Sequence, residues 1–478
     1  MDHHYGKKRL PGQGPLSRAI RRWPVALLVT ALALPAAVRA QTTFANFLNP
    51  LSASSPGAHL YGVSVFSSYY TGGTPYGLPG SITLPVGPNP TYDVVVGATA
   101  SFGWNKSGEG GKWNVSVNYT PSYVRSVRQS DYNLFTHAGS VSAGRRFTLT
   151  RKWSLGVYTS ATVSEFPQFF FTPGTLDLAA SIPVNFDDFA AAVLSGTYTN
   201  SQLASILTST SAPASPVSPA QTFLYGSRIL NNSAGGALSY SVSNRSSLQI
   251  SFNATRSQSL QNSSTPGDSS RYFIPQSLGA SAGLIWSYSL TPRTQVNATA
   301  TASRTFSRLQ DGYATSAQFG ISRVMSRHWF AKGGIGAGML LFNRDAFTAP
   351  STAQYLANGS IGYKTYAHSV FVSYSRSLGD PYGAGSGTIS NVSATWDWRR
   401  PGSAWVFFST GGWQRLGNSS LNNATSWLAA AGLARALGTH MRMSAQYSYF
   451  RFPFATVTSS GLTQDGLSVA LSWSPYGR

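Results

Sequence analysis

The chain has 478 residues, of which 42% are hydrophobic and only 10% are charged, and its formal net charge is +21. It contains no cysteine, which excludes disulfide frameworks, iron–sulfur clusters and thiol nucleophiles. Aromatic residues make up 13% of the chain, which argues against disorder. Aromatic side chains spread along a weakly charged chain need a place to be buried, and lipid is one candidate.

The first forty residues have the features of an export signal. A basic stretch between Lys7 and Arg22 precedes an apolar run from Pro24 to Ala37, and Val38-Arg39-Ala40 fits a cleavage site before Gln41. The apolar run is shorter than the ~18 residues that a membrane-spanning helix needs, although an uncleaved anchor is the alternative. We predict a signal peptide over 1–40, followed by a short periplasmic lead over 41–58. Export argues against nucleic acid as the partner of the basic surplus.

From residue 59 to residue 478, segments of alternating polarity recur between turns. Apolar and polar residues alternate from Ser247 to Ala254 and again from Leu467 to Ser474, as in β-strands with two different faces. No segment after residue 40 is apolar for long enough to be a helical span, and a closed barrel is the other structure that pairs every backbone group in lipid. The prediction is therefore an all-β fold, a transmembrane antiparallel up-and-down β-barrel of about 18 strands, within a range of roughly 16 to 20. The strand candidates are 60–70, 91–105, 113–126, 133–149, 153–168, 234–244, 247–259, 273–290, 294–307, 313–325, 329–342, 353–364, 369–378, 386–398, 404–413, 424–436, 440–452 and 464–474.

The links between candidates alternate in length. Links after even-numbered candidates are mostly short, such as 150–152 and 326–328, whereas those after odd-numbered candidates are longer, up to the loop 169–233. Short turns on one rim and long loops on the other are typical of outer-membrane barrels. Most tryptophans outside the signal lie beside the short turns, as in an aromatic girdle. A soluble β-sandwich also alternates in polarity but does not explain tryptophans near strand ends.

The sequence is poor in signatures of catalysis, although a Ser-His-Asp triad assembles in space and leaves no fixed spacing. The histidines after residue 4 lie far apart, without the spacing of metal ligands, and no nucleophile motif is present. The glycine-rich stretch from Gly333 to Gly338 lacks the Lys-Ser/Thr pair of a phosphate-binding loop. Alternation instead places Gly334, Gly336 and Gly338 on the inner face beside Lys332, where small residues leave room in the lumen or permit bending. We expect no enzyme, no metal and no cofactor.

Alternation also predicts which side chains line the lumen. A polar, partly cationic wall suits water and anionic or sugar-like solutes. The acidic residues of loop 169–233 form a constriction if that loop folds inward, and otherwise belong to an exposed cap. The lumen-lining candidates are Arg146, Gln249, Asn253, Asn297, Gln318, Lys332, Asn358, Arg442 and Gln446, and the constriction candidates are Asp177, Asp187 and Asp188. Basic residues near the short turns are assigned to the lipid interface, namely Lys106, Lys112, Arg151, Lys152, Arg327, Arg399 and Arg400.

One region resembles a known family. The segments Tyr119-Thr-Pro-Ser-Tyr123, Asp131-Tyr132-Asn133 with His137, and Arg146-Phe147 leading to Leu149 and Leu155 resemble the opening barrel segment of the β-barrel porin family of the second type. Members of that family are often associated with exopolysaccharide export systems of diderm bacteria. The resemblance covers about one hairpin and implies an outer-membrane conduit for an extracellular polysaccharide.

The leading functional hypothesis is a porin-like channel, open or gated, in the cell outer membrane. Its predicted partners are outer-membrane lipid, the barrel assembly machinery, and a polar or anionic solute or polysaccharide. A structural or adhesive barrel with a packed lumen is the alternative, since Leu356 and Phe450 also face inward. An embedded hydrolase is the third hypothesis. The solute, the gating and the oligomeric state stay open.

Overall fold

The alternating segments of the sequence fold as β-strands. The computed structural model describes residues 57–72, 92–108, 112–128, 134–165, 228–260, 276–307, 310–345, 353–379, 387–400, 402–417, 425–452 and 462–475. In these ranges the strands are β1 (Gly57–Gly72), β2 (Tyr92–Ser107), β3 (Trp113–Ser126), β4 (Leu134–Thr148), β5 (Trp153–Glu165), β6 (Arg228–Ser241), β7 (Ser246–Ser259), β8 (Ser277–Thr291), β9 (Thr294–Ser307), β10 (Gln310–Val324), β11 (Trp329–Asp345), β12 (Ala353–Lys364), β13 (His368–Gly379), β14 (Gly387–Arg399), β15 (Trp405–Gly417), β16 (Thr425–Ala436), β17 (Met441–Phe452) and β18 (Leu462–Trp473). No helix in this described part of the chain is long and apolar enough to cross a bilayer.

The strands form one sheet that closes on itself. Each strand pairs antiparallel with its neighbours in the chain, and β1 also pairs with β18, from Val63 opposite Trp473 to Gly72 opposite Gln464. The 18 strands of the described ranges therefore make a closed up-and-down barrel, and the predicted fold class and strand number are confirmed. Closure leaves none of these strands with an unpaired edge.

The two faces of the sheet differ in character. Side chains that are exposed alternate with side chains that are more buried along β8, and the exposed set is apolar, including Leu278, Leu284 and Trp286. The other face is the concave one, because the Tyr158 hydroxyl on β5 reaches Oδ1 of Asn253 on β7, 3.1 Å away, across the intervening strand β6. The barrel therefore has an apolar outer face and a largely polar inner face, the pattern that is typical of membrane-spanning barrels.

The same hydrogen-bond pattern recurs in several of the short turns. We call the end of the barrel where these turns lie the short-turn rim. A serine or threonine near the end of the preceding strand accepts hydrogen bonds from backbone N–H groups that follow it. Thr150 accepts from Trp153 N at 3.1 Å, Ser243 from Ser246 N at 3.1 Å, and Ser326 from Trp329 N at 3.2 Å. Such hydroxyls satisfy the turn backbone without a longer loop.

Tryptophans mark the same rim on the outer face. Trp113, Trp153, Trp329 and Trp405 are the first residues of β3, β5, β11 and β15, and Trp473 is the last residue of β18. The Trp153 ring lies 4.4 Å from that of Tyr240, and the Trp329 ring 4.6 Å from that of Tyr363. These rings match the amphipathic belt that anchors barrels at a membrane surface.

Several predicted strand boundaries differ from the structure, for example at β15, which extends to Gly417. Strand β6 begins at Arg228, six residues before the predicted start, because the adjacent Asn231 and Asn232 interrupt the alternating pattern. Strand β1 begins at Gly57, so the last two residues of the predicted lead are part of the barrel. The predicted signal peptide, most of the lead and most of loop 169–233, with Asp177, Asp187 and Asp188, lie outside the described residues.

Candidate functional site: the inner face of the barrel

The nine predicted lumen-lining residues all occupy the concave face in the observed strand register. Arg146 lies opposite Gly156, and Asn253 lies between Gly235 and Ser281 on the neighbouring strands. The other seven also lie at inward positions in the alternation of their strands, namely Gln249, Asn297, Gln318, Lys332, Asn358, Arg442 and Gln446. Contact of these side chains with a solute stays a prediction.

An amide pair spans the glycine-rich strand β11. Nδ2 of Asn358 on β12 donates to Oε1 of Gln318 on β10 at 2.9 Å. The two side chains meet above β11, where Gly334 and Gly336 lie between them. A Cβ atom on Gly336 would lie 2.5 Å from Cγ of Gln318 and would also overlap the Ala317 carbonyl oxygen. The glycines therefore leave the space in which the amide pair forms.

Gly336→Ala is expected to break the Gln318–Asn358 hydrogen bond and to lower the free energy of unfolding by about 1–3 kcal/mol, as overpacking does. Gly333→Ala is the matched control, because a Cβ at Gly333 meets only the Asn358 carbonyl oxygen, at 3.9 Å. Urea unfolding of the two variants in lipid vesicles measures the difference. Equal stability of both variants would contradict this account of the glycines.

Inward aromatic rings also lie over glycines. Among the described side chains, four such rings cover a glycine that is their direct cross-strand partner, so that each ring lies against the sheet. The pairs are Phe66–Gly97, Tyr158–Gly235, Phe330–Gly362 and Phe408–Gly432. A ring held in this way takes less of the lumen than one that projects from the wall.

Charged side chains on the inner face are concentrated near the short-turn rim. Lys364 ends β12 and Arg399 ends β14, and the Lys364 ammonium interacts electrostatically with Arg399 and Asp397. The sequence assigns Arg399 to the lipid interface, but the parity of β14 places it on the concave face with Asp397. Lys364 and Asp397 are absent from the sequence-based candidates. Extending the alternation from Asn358 to the end of β12 is the signal that identifies Lys364.

One acidic side chain lies near the opposite rim. Asp93 is buried on the inner face of β2, where it accepts hydrogen bonds from the Tyr70 hydroxyl at 3.3 Å and from Arg128 N at 3.1 Å. Ser126 also donates to it. The carboxylate is thus held by its neighbours and joins β1, β2 and the end of β3. Within the described residues, no group of three potential metal ligands is present.

Comparisons with known proteins give structural likeness only. No protein-family model matches the chain, and no curated protein matches it. Among solved structures, OpdO of Pseudomonas aeruginosa is 12% identical with a TM-score of 0.40, covering 87% of this chain and 97% of that one. A BenF-like porin from Pseudomonas fluorescens is 8% identical with a TM-score of 0.40, covering 87% and 98%. OpdK of Pseudomonas aeruginosa, solved with vanillate, is 12% identical with a TM-score of 0.38, covering 87% and 99%. Nothing about the function of this chain follows from likeness at this level.

Proposed function

We propose that the chain is a non-enzymatic pore of the outer membrane that lets small polar solutes cross, with a preference for anions. The observation that carries the proposal is the closed barrel of 18 described strands with a polar inner face. Barrels of about 16–18 strands are wide enough to leave an aqueous channel. The apolar outer face and the predicted export signal support the outer membrane as its location and the barrel assembly machinery as a partner.

The charge of the inner face supports the anion preference. Among the described inner side chains, the basic ones are Arg146, Lys332, Lys364, Arg399 and Arg442, and the acidic ones are Asp93 and Asp397. Fixed positive charge in a narrow aqueous passage raises the local concentration of anions. These inner basic side chains also support Asp177, Asp187 and Asp188 as proposed constriction residues. Export of an exopolysaccharide remains an implication of the sequence resemblance, and the pore does not require it.

Planar-bilayer recording tests the pore. We expect stepwise conductance from the purified barrel and, in a KCl gradient, a reversal potential on the chloride side. The triple variant Lys332→Gln, Lys364→Gln, Arg399→Gln is expected to move that potential towards the potassium side. Lys106→Gln is the control, because Lys106 is exposed and lies on the outer face of β2. An unchanged reversal potential in the triple variant would contradict the role of these charges.

A structural or adhesive barrel with a packed lumen is the second candidate. It is favoured by the inward residues Phe371, Leu356 and Phe450, which are almost fully buried. A folded barrel without conductance would support this candidate and would count against the pore.

A further inference from the structure

The inner face divides into two walls that differ in side-chain size. On β4–β9 the inner positions are mostly serine, threonine, asparagine and glycine, and we call this the hydroxyl wall. On β11–β18 they include large apolar side chains, and we call this the bulky wall. The large buried residues of the bulky wall are Phe330, Leu340, Leu356, Phe371, Ile389, Val406, Phe408 and Phe450.

Small polar side chains are more deeply buried where their neighbours are large. On the hydroxyl wall, Ser251, Ser281 and Ser303 are half-buried. On the bulky wall, Ser393 and Thr410 expose only 1% and 3% of their surface. Large neighbours cover many of the small polar side chains of the bulky wall, so that wall is less accessible to water than the hydroxyl wall, on which Thr136 and Ser307 are also buried.

In the described ranges, buried polar atoms without a partner are more numerous on the bulky wall, although Ser257 of the hydroxyl wall also has one. Asn391 and Gln414 face each other on β14 and β15, each 1% exposed. Both atoms of each side-chain amide lack a hydrogen-bond partner among the described residues. A permeating solute would have to displace the covering side chains to reach them, whereas the hydroxyl wall needs no rearrangement.

The hydroxyl wall carries almost no charge. Among its described side chains Arg146, near the short-turn rim, is the one charged residue. Its hydroxyls pair across strands, as between Ser160 and Ser233 at 2.7 Å. A hydroxyl both donates and accepts, so such a surface exchanges hydrogen bonds with water or with solute hydroxyls at little net cost.

We propose that permeating solutes follow the hydroxyl wall and that this wall suits uncharged, hydroxyl-rich solutes such as small sugars. The inference rests on the proposed pore function and deepens it. The basic side chains of the bulky wall act on small ions through their field, while the hydroxyls make the contacts with larger solutes.

Single-cysteine variants test the path, because the natural chain has no cysteine. Ser281→Cys and Ser303→Cys are expected to react with a charged methanethiosulfonate more than about tenfold faster than Ser393→Cys and Thr410→Cys, because a thiol reacts as the solvated thiolate. Modification of the first pair should also reduce single-channel conductance. Ala282→Cys, on the outer face of β8, is the lipid-facing control.

Liposome swelling tests the solute class. An uncharged sugar should enter vesicles containing the barrel, and Ser281→Trp should slow its entry by more than it slows chloride conductance. Equal labelling of the two walls would overturn the path, and conductance without sugar entry would overturn the solute class. Absence of any conductance from folded protein would instead overturn the pore itself.

Discussion

Leu284→Arg is expected to destabilise the folded barrel in lipid by about 2–4 kcal/mol, the cost of an arginine on the lipid face near the bilayer midplane. Leu284 lies at the middle of β8 and is 44% exposed on the outer face. Urea unfolding in vesicles, followed by tryptophan fluorescence, measures the loss.

Ser281→Arg is the matched control for Leu284→Arg. Ser281 lies three residues away on the same strand but on the concave face, where water solvates the guanidinium. It is therefore expected to lower the free energy of unfolding much less than Leu284→Arg does. Similar decreases in that free energy for both variants would show that Leu284 does not face lipid or that the barrel does not lie in lipid.

Gly362→Ala is expected to lower the free energy of unfolding by about 1–3 kcal/mol, because overpacking forces a buried ring to move. A Cβ atom on Gly362 would lie 2.8 Å from Cδ1 of Phe330 and would overlap the far side of the ring. That ring is 2% exposed and lies 6.2 Å from the ring of Phe371. The displaced ring is expected to enter the lumen and to lower single-channel conductance.

Two further variants test the cause. Gly359→Ala lies on the same strand but faces outward, and its Cβ would meet only the Lys332 carbonyl oxygen, at 3.8 Å, so it should leave stability nearly unchanged. In the double variant Phe330→Ala, Gly362→Ala the clash is absent, so the two costs should not add. Additive losses would mean that the ring and the glycine do not interact.

Alternation of polarity is enough to predict most of the strands and their faces. It predicts β9 over 294–307, and the strand is observed as Thr294–Ser307, because its inner residues are polar and its outer residues are mostly apolar. The predicted β6 is too short, because Asn231 and Asn232 put polar residues on both faces. A period of two residues cannot assign such a segment, and only pairing with β5 and β7 does so.

Contacts on the inner face depend on relations between strands that alternation does not contain. The sequence predicts that Gln318 and Asn358 lie on the same face, but it does not determine their relative positions along the barrel axis. Their hydrogen bond depends on the register of β10, β11 and β12 together. The contrast between the two walls likewise depends on which large side chains cover which small ones. The alternating pattern extends to Lys364, whereas it carries no information on the burial of Asn391 and Gln414.

Ring closure has a consequence for assembly. Strand β18 pairs with β17 on one side and with β1 on the other. Until that last pairing forms, β1 and β18 each offer free backbone groups to any other chain. We expect intermolecular pairing to compete with closure during assembly, and the closed ring leaves none of the 18 described strands free to pair with a second copy.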